Sequence, residues 1–104
     1  MNESDFEVEA SRALQALERA FDAQEIEFEL KGDGVLELEF EDGAKIIVNR
    51  HAAAREIWVA ARSGGFHFRW DGSAWRDTRN ATELFAALSE LISRQLGRGI
   101  RLLG

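Results

Sequence analysis

The feature that most constrains this chain is a regular alternation of hydrocarbon and polar side chains that begins at Glu25. It runs through Glu25-Ile26-Glu27-Phe28-Glu29-Leu30 and again through Leu36-Glu37-Leu38-Glu39-Phe40-Glu41. A period of two sends alternate residues to opposite faces of a strand. Comparable runs occupy 25–31, 35–41, 44–50, 56–62, 66–70 and 74–77. Turn sequences lie between most of them: Gly32-Asp33-Gly34, Asp42-Gly43, Ser63-Gly64-Gly65 and Asp71-Gly72. That order predicts an antiparallel meander. The break at His51-Ala52-Ala53-Ala54 has no glycine to mark it.

The period changes to that of a helix at both ends of the chain. Phe6, Ala10, Ala13, Leu14, Leu17 and Phe21 share one stripe, and Ser4 with Glu7 has the spacing of a capping box, so a helix is expected over about 5–22. A second box, Asn80 with Glu83, precedes a stripe of Leu84, Phe85, Leu88, Leu91, Ile92 and Leu96, which Gly97 ends. The tail Ile100-Arg101-Leu102-Leu103 is expected to return to the core.

Strands that alternate can be covered on one face only, and each helix has one apolar stripe with which to cover it. The expected fold is a two-layer α+β sandwich, with the N- and C-terminal helices on one face of an antiparallel sheet of five to six strands. The order is α-β6-α, and residues 1–104 read as one domain. Sorting by parity puts Ile26, Phe28, Leu30, Leu36, Leu38, Phe40, Ile46, Val48, Ile57, Val59, Phe66, Phe68 and Trp70 inside. Glu27, Glu29, Glu37, Glu39, Lys45, Ile47, Asn49, Trp58, Ala60, His67 and Arg69 fall outside. Trp70 and Trp75 read as packing residues, Trp58 as a partner-facing one, and His67 as a half-exposed strand histidine.

The net charge of −6 conceals a division. Residues 1–43 carry fourteen acids and three bases, and residues 44–104 carry five acids and ten bases. The first part should attract cations or a basic partner and repel nucleic acid. Without cysteine, disulfides, thiolate metal sites and a cysteine nucleophile are excluded. No apolar run reaches the roughly 20 residues a bilayer requires, and the acidic start is unlike a secretory signal, so a cytoplasmic protein is expected.

Glu7, Glu18, Asp22 and Glu25 lie at offsets that would form one helical stripe beside the core face. Oxygen ligands at a surface suit hard cations, such as iron, magnesium, manganese or calcium, and hold them weakly. Neither paired metal-binding histidines nor a nucleophile-elbow sequence is present.

The run from Gly34 to Arg50, followed by Glu56-Ile57-Trp58-Val59-Ala60 and Ser63-Gly64-Gly65-Phe66-His67-Phe68, resembles the bacterial frataxin (CyaY) family, as does the opening Met1 to Phe6. The resemblance covers nearly the whole chain. It implies an adaptor, not an enzyme, that binds ferrous or ferric iron weakly and exchangeably along an acidic ridge and modulates iron–sulfur cluster assembly. Its implied partners are a cysteine desulfurase and an iron–sulfur scaffold protein, with no nucleic acid or membrane. It implies a monomer, with metal-dependent assembly as the alternative.

Carried over by position, the ridge comprises Glu18, Asp22, Glu25 and Glu27, with Glu3, Asp5 and Glu7 as further candidates. The implied partner surface comprises Asn49, Trp58 and their neighbours Glu37, Glu39, Lys45 and His67. Two departures stand out: the acids around Glu18 to Glu25 are sparser than in the family, and the loop after Arg50 is His-Ala-Ala-Ala. Two rival readings remain open at this point. One is a ferroxidase or iron-storage activity on clustered carboxylates; the other is an acidic decoy that mimics nucleic acid.

Overall fold

A computed structural model describes residues 1–32 and 34–104; the Asp33 of the first expected turn lies outside them. The chain forms α1 (Glu3–Ala23), β1 (Glu29–Leu30), β2 (Val35–Glu39), β3 (Lys45–His51), β4 (Glu56–Ala61), β5 (Gly64–Trp70), β6 (Trp75–Asp77) and α2 (Leu84–Leu96). The strands pair in sequence order, each antiparallel to the next. The two helices cover one face of this sheet, as the alternation predicts. Among the described residues no helix is long and apolar enough to cross a membrane.

The core joins the helix stripes to the inward strand positions. Phe6, Leu17 and Phe21 of α1 and Leu84, Leu88 and Ile92 of α2 meet Leu36, Leu38, Val48, Ile57 and Phe68, all fully buried. Each such side chain contributes about 1.5–3 kcal/mol relative to an exposed position. The tail behaves as expected. Ile100 and Leu102 are buried, and their amides donate to Ser93 Oγ at 2.8 Å and Ser89 Oγ at 2.9 Å.

Both capping boxes are corrected by the structure. Asn2, with extended backbone, caps α1 and accepts the Asp5 amide at 2.8 Å. A good capping side chain just upstream of Ser4 thus starts the helix earlier and frees Glu7. At the second helix Asn80 closes a turn onto the Thr82 amide at 3.0 Å, and Ala81 has a left-handed φ of 64°. Glu83 itself becomes the cap, its carboxylate accepting the Phe85 and Ala86 amides at 2.8 and 3.1 Å. A carboxylate there also meets the positive end of the helix dipole.

The first strand is much shorter than the expected 25–31. Glu25 adopts a left-handed φ of 57°, and the Ile26 amide returns to the Phe21 carbonyl at 2.8 Å. Those hydrogen bonds close α1, so ladder pairing starts only at Glu29. Leu30, expected inside, is 61% exposed at the sheet edge, where it borders an open groove with Leu14, Gln15 and Glu18 of α1.

Candidate functional site

The expected acidic stripe separates into two groups. Glu7 is neutralised by Arg50 of β3, whose guanidinium lies 3.0 Å away and also reaches Ser11 Oγ at 3.3 Å. Glu18 borders the same groove as Arg50, with Leu14, Gln15 and Val35. Glu25 is beyond the helix, so a helical offset does not describe its direction.

The turn at Glu25 instead gathers carboxylates from elsewhere. Asp22, Glu25 and Glu27 rim one shallow hollow beside Ile26 and Phe28. Glu25 and Glu27 also rim the adjoining hollow with Glu39, Glu41 and Asp42, where Arg98 is the single basic lining residue. Asp22, Glu25, Glu27, Glu39 and Glu41 have no ion-pair partner among the described residues. Asp42 differs from them. The Ala44 amide and Gln95 Nε2 each donate to it at 2.9 Å, and with Arg62 nearby they hold its carboxyl below the usual range.

Among the described residues no three carboxylates or histidines converge closely enough to enclose a metal ion. The acidic end therefore offers oxygen donors spread over an open surface, which suits loose association of hard cations.

Among the described residues Glu29 and Glu37, unlike Glu25, Glu27, Glu39 and Glu41, have lysine partners. Glu29 and Glu37 are cross-strand partners, and Lys31 lies 3.4 Å from the first and 3.5 Å from the second. Lys45 approaches Glu37 at 3.6 Å from the other side. Glu29, assisted by Glu37, raises the Lys31 pKa above its ordinary value. Glu37 and Lys45, both expected on the partner surface, thus form part of a surface ion-pair chain, and Glu39 stays exposed beside them.

Trp58 does face outward from the middle of the sheet, opposite Asn49 on one side and His67 on the other. Its indole is sandwiched between imidazoles: His51 stacks at 3.8 Å between centroids, and His67 at 4.6 Å. Beneath this stack is Glu56, only 5% exposed although it occupies an outward position. Trp58 Nε1 donates to its Oε1 at 2.8 Å, Arg69 Nε donates to its Oε2 at 2.6 Å, and His67 Nδ1 lies 3.3 Å from Oε1. Burial, the largest single influence, pushes the Glu56 carboxyl up. The hydrogen bonds from Trp58 and Arg69 and the charges of Arg69 and His67 together outweigh it and hold the group below its ordinary value.

Glu56, Arg69 and His51 were not anticipated in the site. The signal available in the sequence is the register set by the Ser63-Gly64-Gly65 turn, which places His67 opposite Trp58 and, continued past the Ile57–Phe68 pair, brings Arg69 opposite Glu56.

Residues 1–98 match the family model of the frataxin-like domain. The chain is 55% identical to the iron–sulfur cluster assembly protein CyaY of Dechloromonas aromatica (strain RCB), over 96% of this chain and 97% of that protein. It is 54% identical to the protein of the same name from Cupriavidus metallidurans, over 93% and 92%. Among solved structures, frataxin from Psychromonas ingrahamii superposes with a TM-score of 0.90 at 27% identity, covering 100% of both chains. Trimeric frataxin from the yeast Saccharomyces cerevisiae, complexed with ferrous iron, has a TM-score of 0.64 at 25% identity, covering 94% of this chain and 88% of that one.

Proposed function

This chain belongs to the frataxin-like family, and from that premise we propose that it serves iron–sulfur cluster assembly as an adaptor. Its acidic end holds ferrous or ferric iron weakly and meets a basic surface of a cysteine desulfurase. The sheet face around Trp58 contacts the desulfurase or the scaffold protein. The protein works as a cytoplasmic monomer.

The observation that carries this reading is the gathering of Asp22, Glu25, Glu27, Glu39, Glu41 and Asp42 at one end, with Arg98 as the one basic residue lining the hollows there. Such a field attracts cations and basic surfaces over several ångströms without requiring a coordination sphere. The names of the relatives support the pathway, and the yeast protein complexed with ferrous iron supports the cargo. A ferroxidase would require two metals held by converging ligands, as in di-iron bundles. Spread carboxylates favour the adaptor instead.

The test is a titration of labelled protein with purified cysteine desulfurase at low ionic strength, repeated with Asp22, Glu25 and Glu27 together changed to lysine. The affinity should fall by about tenfold or more and should weaken with salt in the unaltered protein. Equal affinity for both would remove the acidic end as a docking surface.

A further inference from the structure

The outer face of β3 to β5 has the opposite polarity from the acidic end. Glu56 directs its charge inward: Oε1 receives Trp58 Nε1, and Oε2 receives Arg69 Nε. What remains for a partner is mostly donors. Arg69 is engaged through Nε alone among the described residues, and its side chain is 69% exposed, so both terminal nitrogens are available. His51 accepts the Ala54 amide at Nδ1, 3.3 Å away, which in a neutral ring leaves the proton on Nε2. Between these groups stand the outward edges of the stacked His51, Trp58 and His67 rings, the two imidazoles covering both faces of the indole. The next arginine along, Arg76, is the cross-strand partner of Arg69 but is occupied by Asp71 at 2.9 Å and the Ala81 carbonyl at 3.1 Å.

We propose that this patch reads a carboxylate: it receives an extended segment of a protein partner in which an Asp or Glu side chain meets the Arg69 fork while neighbouring apolar atoms lie against the ring edges of the Trp58 stack. The inference rests on the reading of the Trp58 face as a partner surface.

Complementarity of charge selects this occupant. A planar guanidinium matches a carboxylate through two parallel hydrogen bonds, which lysine cannot reproduce. Nucleic acid presents anions too, but fourteen acids in residues 1–43 oppose its approach. Glu56 acts as a positioning residue. By holding the Nε edge of Arg69 and the indole of Trp58 on one carboxylate, it fixes guanidinium and indole relative to each other before a partner arrives, which lowers the ordering cost of binding. The protein then carries two docking surfaces of opposite sign, one for a basic partner surface and one for an acidic segment.

The experiment uses the full ¹⁵N-labelled chain and two blocked pentapeptides, Gly-Val-Glu-Val-Gly and its Gln counterpart. The resonances followed are the Trp58 indole N–H, assigned by its loss in Trp58→Phe, and the Arg69 Nε–H. The Glu peptide should shift both and bind about fivefold or more tighter than the Gln peptide. Arg69→Gln should abolish that preference, Arg69→Lys should retain part of it, and Glu56→Gln should weaken it while the fold persists. Equal affinity for the two peptides, or a preference that survives Arg69→Gln, overturns the proposal.

Titrations of purified desulfurase and scaffold protein separate this inference from the reading beneath it. Binding lost in Trp58→Ala but intact in Arg69→Gln keeps the partner surface and overturns carboxylate recognition. Binding unaffected by either variant removes both, and binding weakened by both supports both.

Discussion

Gly34 presses its backbone against the Arg50 side chain, and the Arg50 amide donates to the Gly34 carbonyl at 2.9 Å. A methyl group on Gly34 would stand 2.8 Å from Arg50 Nε and 3.1 Å from Arg50 Cβ, at a φ of 75°. The side chain could swing its guanidinium aside, but its Cβ is fixed to the strand. Gly34→Ala should therefore destabilise by about 2 kcal/mol or more, combining left-handed strain with a lost Arg50–Glu7 contact. Gly32→Ala, also left-handed but with open space around it, should cost only about 1 kcal/mol. Urea unfolding of the two variants side by side measures the difference.

Glu56 should leave a signature in the acid limb of stability. Its folded pKa lies below the ordinary 4.5, so the stabilisation is fully present above that value and is lost as pH falls through the folded pKa. Glu56→Gln should accordingly be less stable than the unaltered protein above about pH 5.5, by a constant amount, and the gap should narrow below about pH 4.5. Unfolding midpoints measured from pH 3 to 7 check the direction. A gap that widens toward acid would contradict it.

Crowded carboxylates without ion-pair partners should make the acidic end sensitive to added cations. At low ionic strength, ferrous or manganous ions should raise Tm in the unaltered protein, because binding to the folded state alone stabilises it. Asp22→Asn, Glu25→Gln and Glu27→Gln together should raise Tm in metal-free buffer and abolish most of the response. Thermal scans with and without metal give both numbers.

Trp75 is buried, yet its Nε1 has no hydrogen-bond partner among the described residues, while its ring meets Phe6 edge to face at 5.9 Å. Replacing it with phenylalanine removes an unsatisfied donor, which offsets part of the lost packing. Trp75→Phe should change stability by about 1 kcal/mol or less, whereas Phe6→Ala, with no donor to relieve, should cost about 3–5 kcal/mol.

The inward face of the sheet was legible because hydrophobic alternation is enforced by burial: Leu36 and Leu38, Ile46 and Val48, and Ile57 and Val59 all point to the core as read. A slip of one residue would have exposed them all. The helix starts were misread because several good capping residues lie close together, and geometry rather than spacing decides which is used. Asn2 displaced Ser4, and Glu83 displaced Asn80. The acidic end was legible as a composition but not as a place. Its arrangement depends on the left-handed turn at Glu25, and a non-glycine residue gives no notice of such a conformation. Glu56 was hidden for a different reason. An outward glutamate is expected to be solvated, and it is Trp58 of its own strand with His51, His67 and Arg69 of the two neighbouring strands that surround it.

The order of elements along the chain has a bearing on how the protein emerges during synthesis. The six strands can zip together successively as they leave the ribosome, since each pairs with its immediate predecessor. Half of the roof over them, however, is supplied by Leu84, Leu88 and Ile92 of α2, which follows all six strands along the chain. Until those arrive, greasy side chains such as Ile57 and Phe68 have only α1 to shelter them, and a nascent chain stalled before α2 would be a substrate for chaperones.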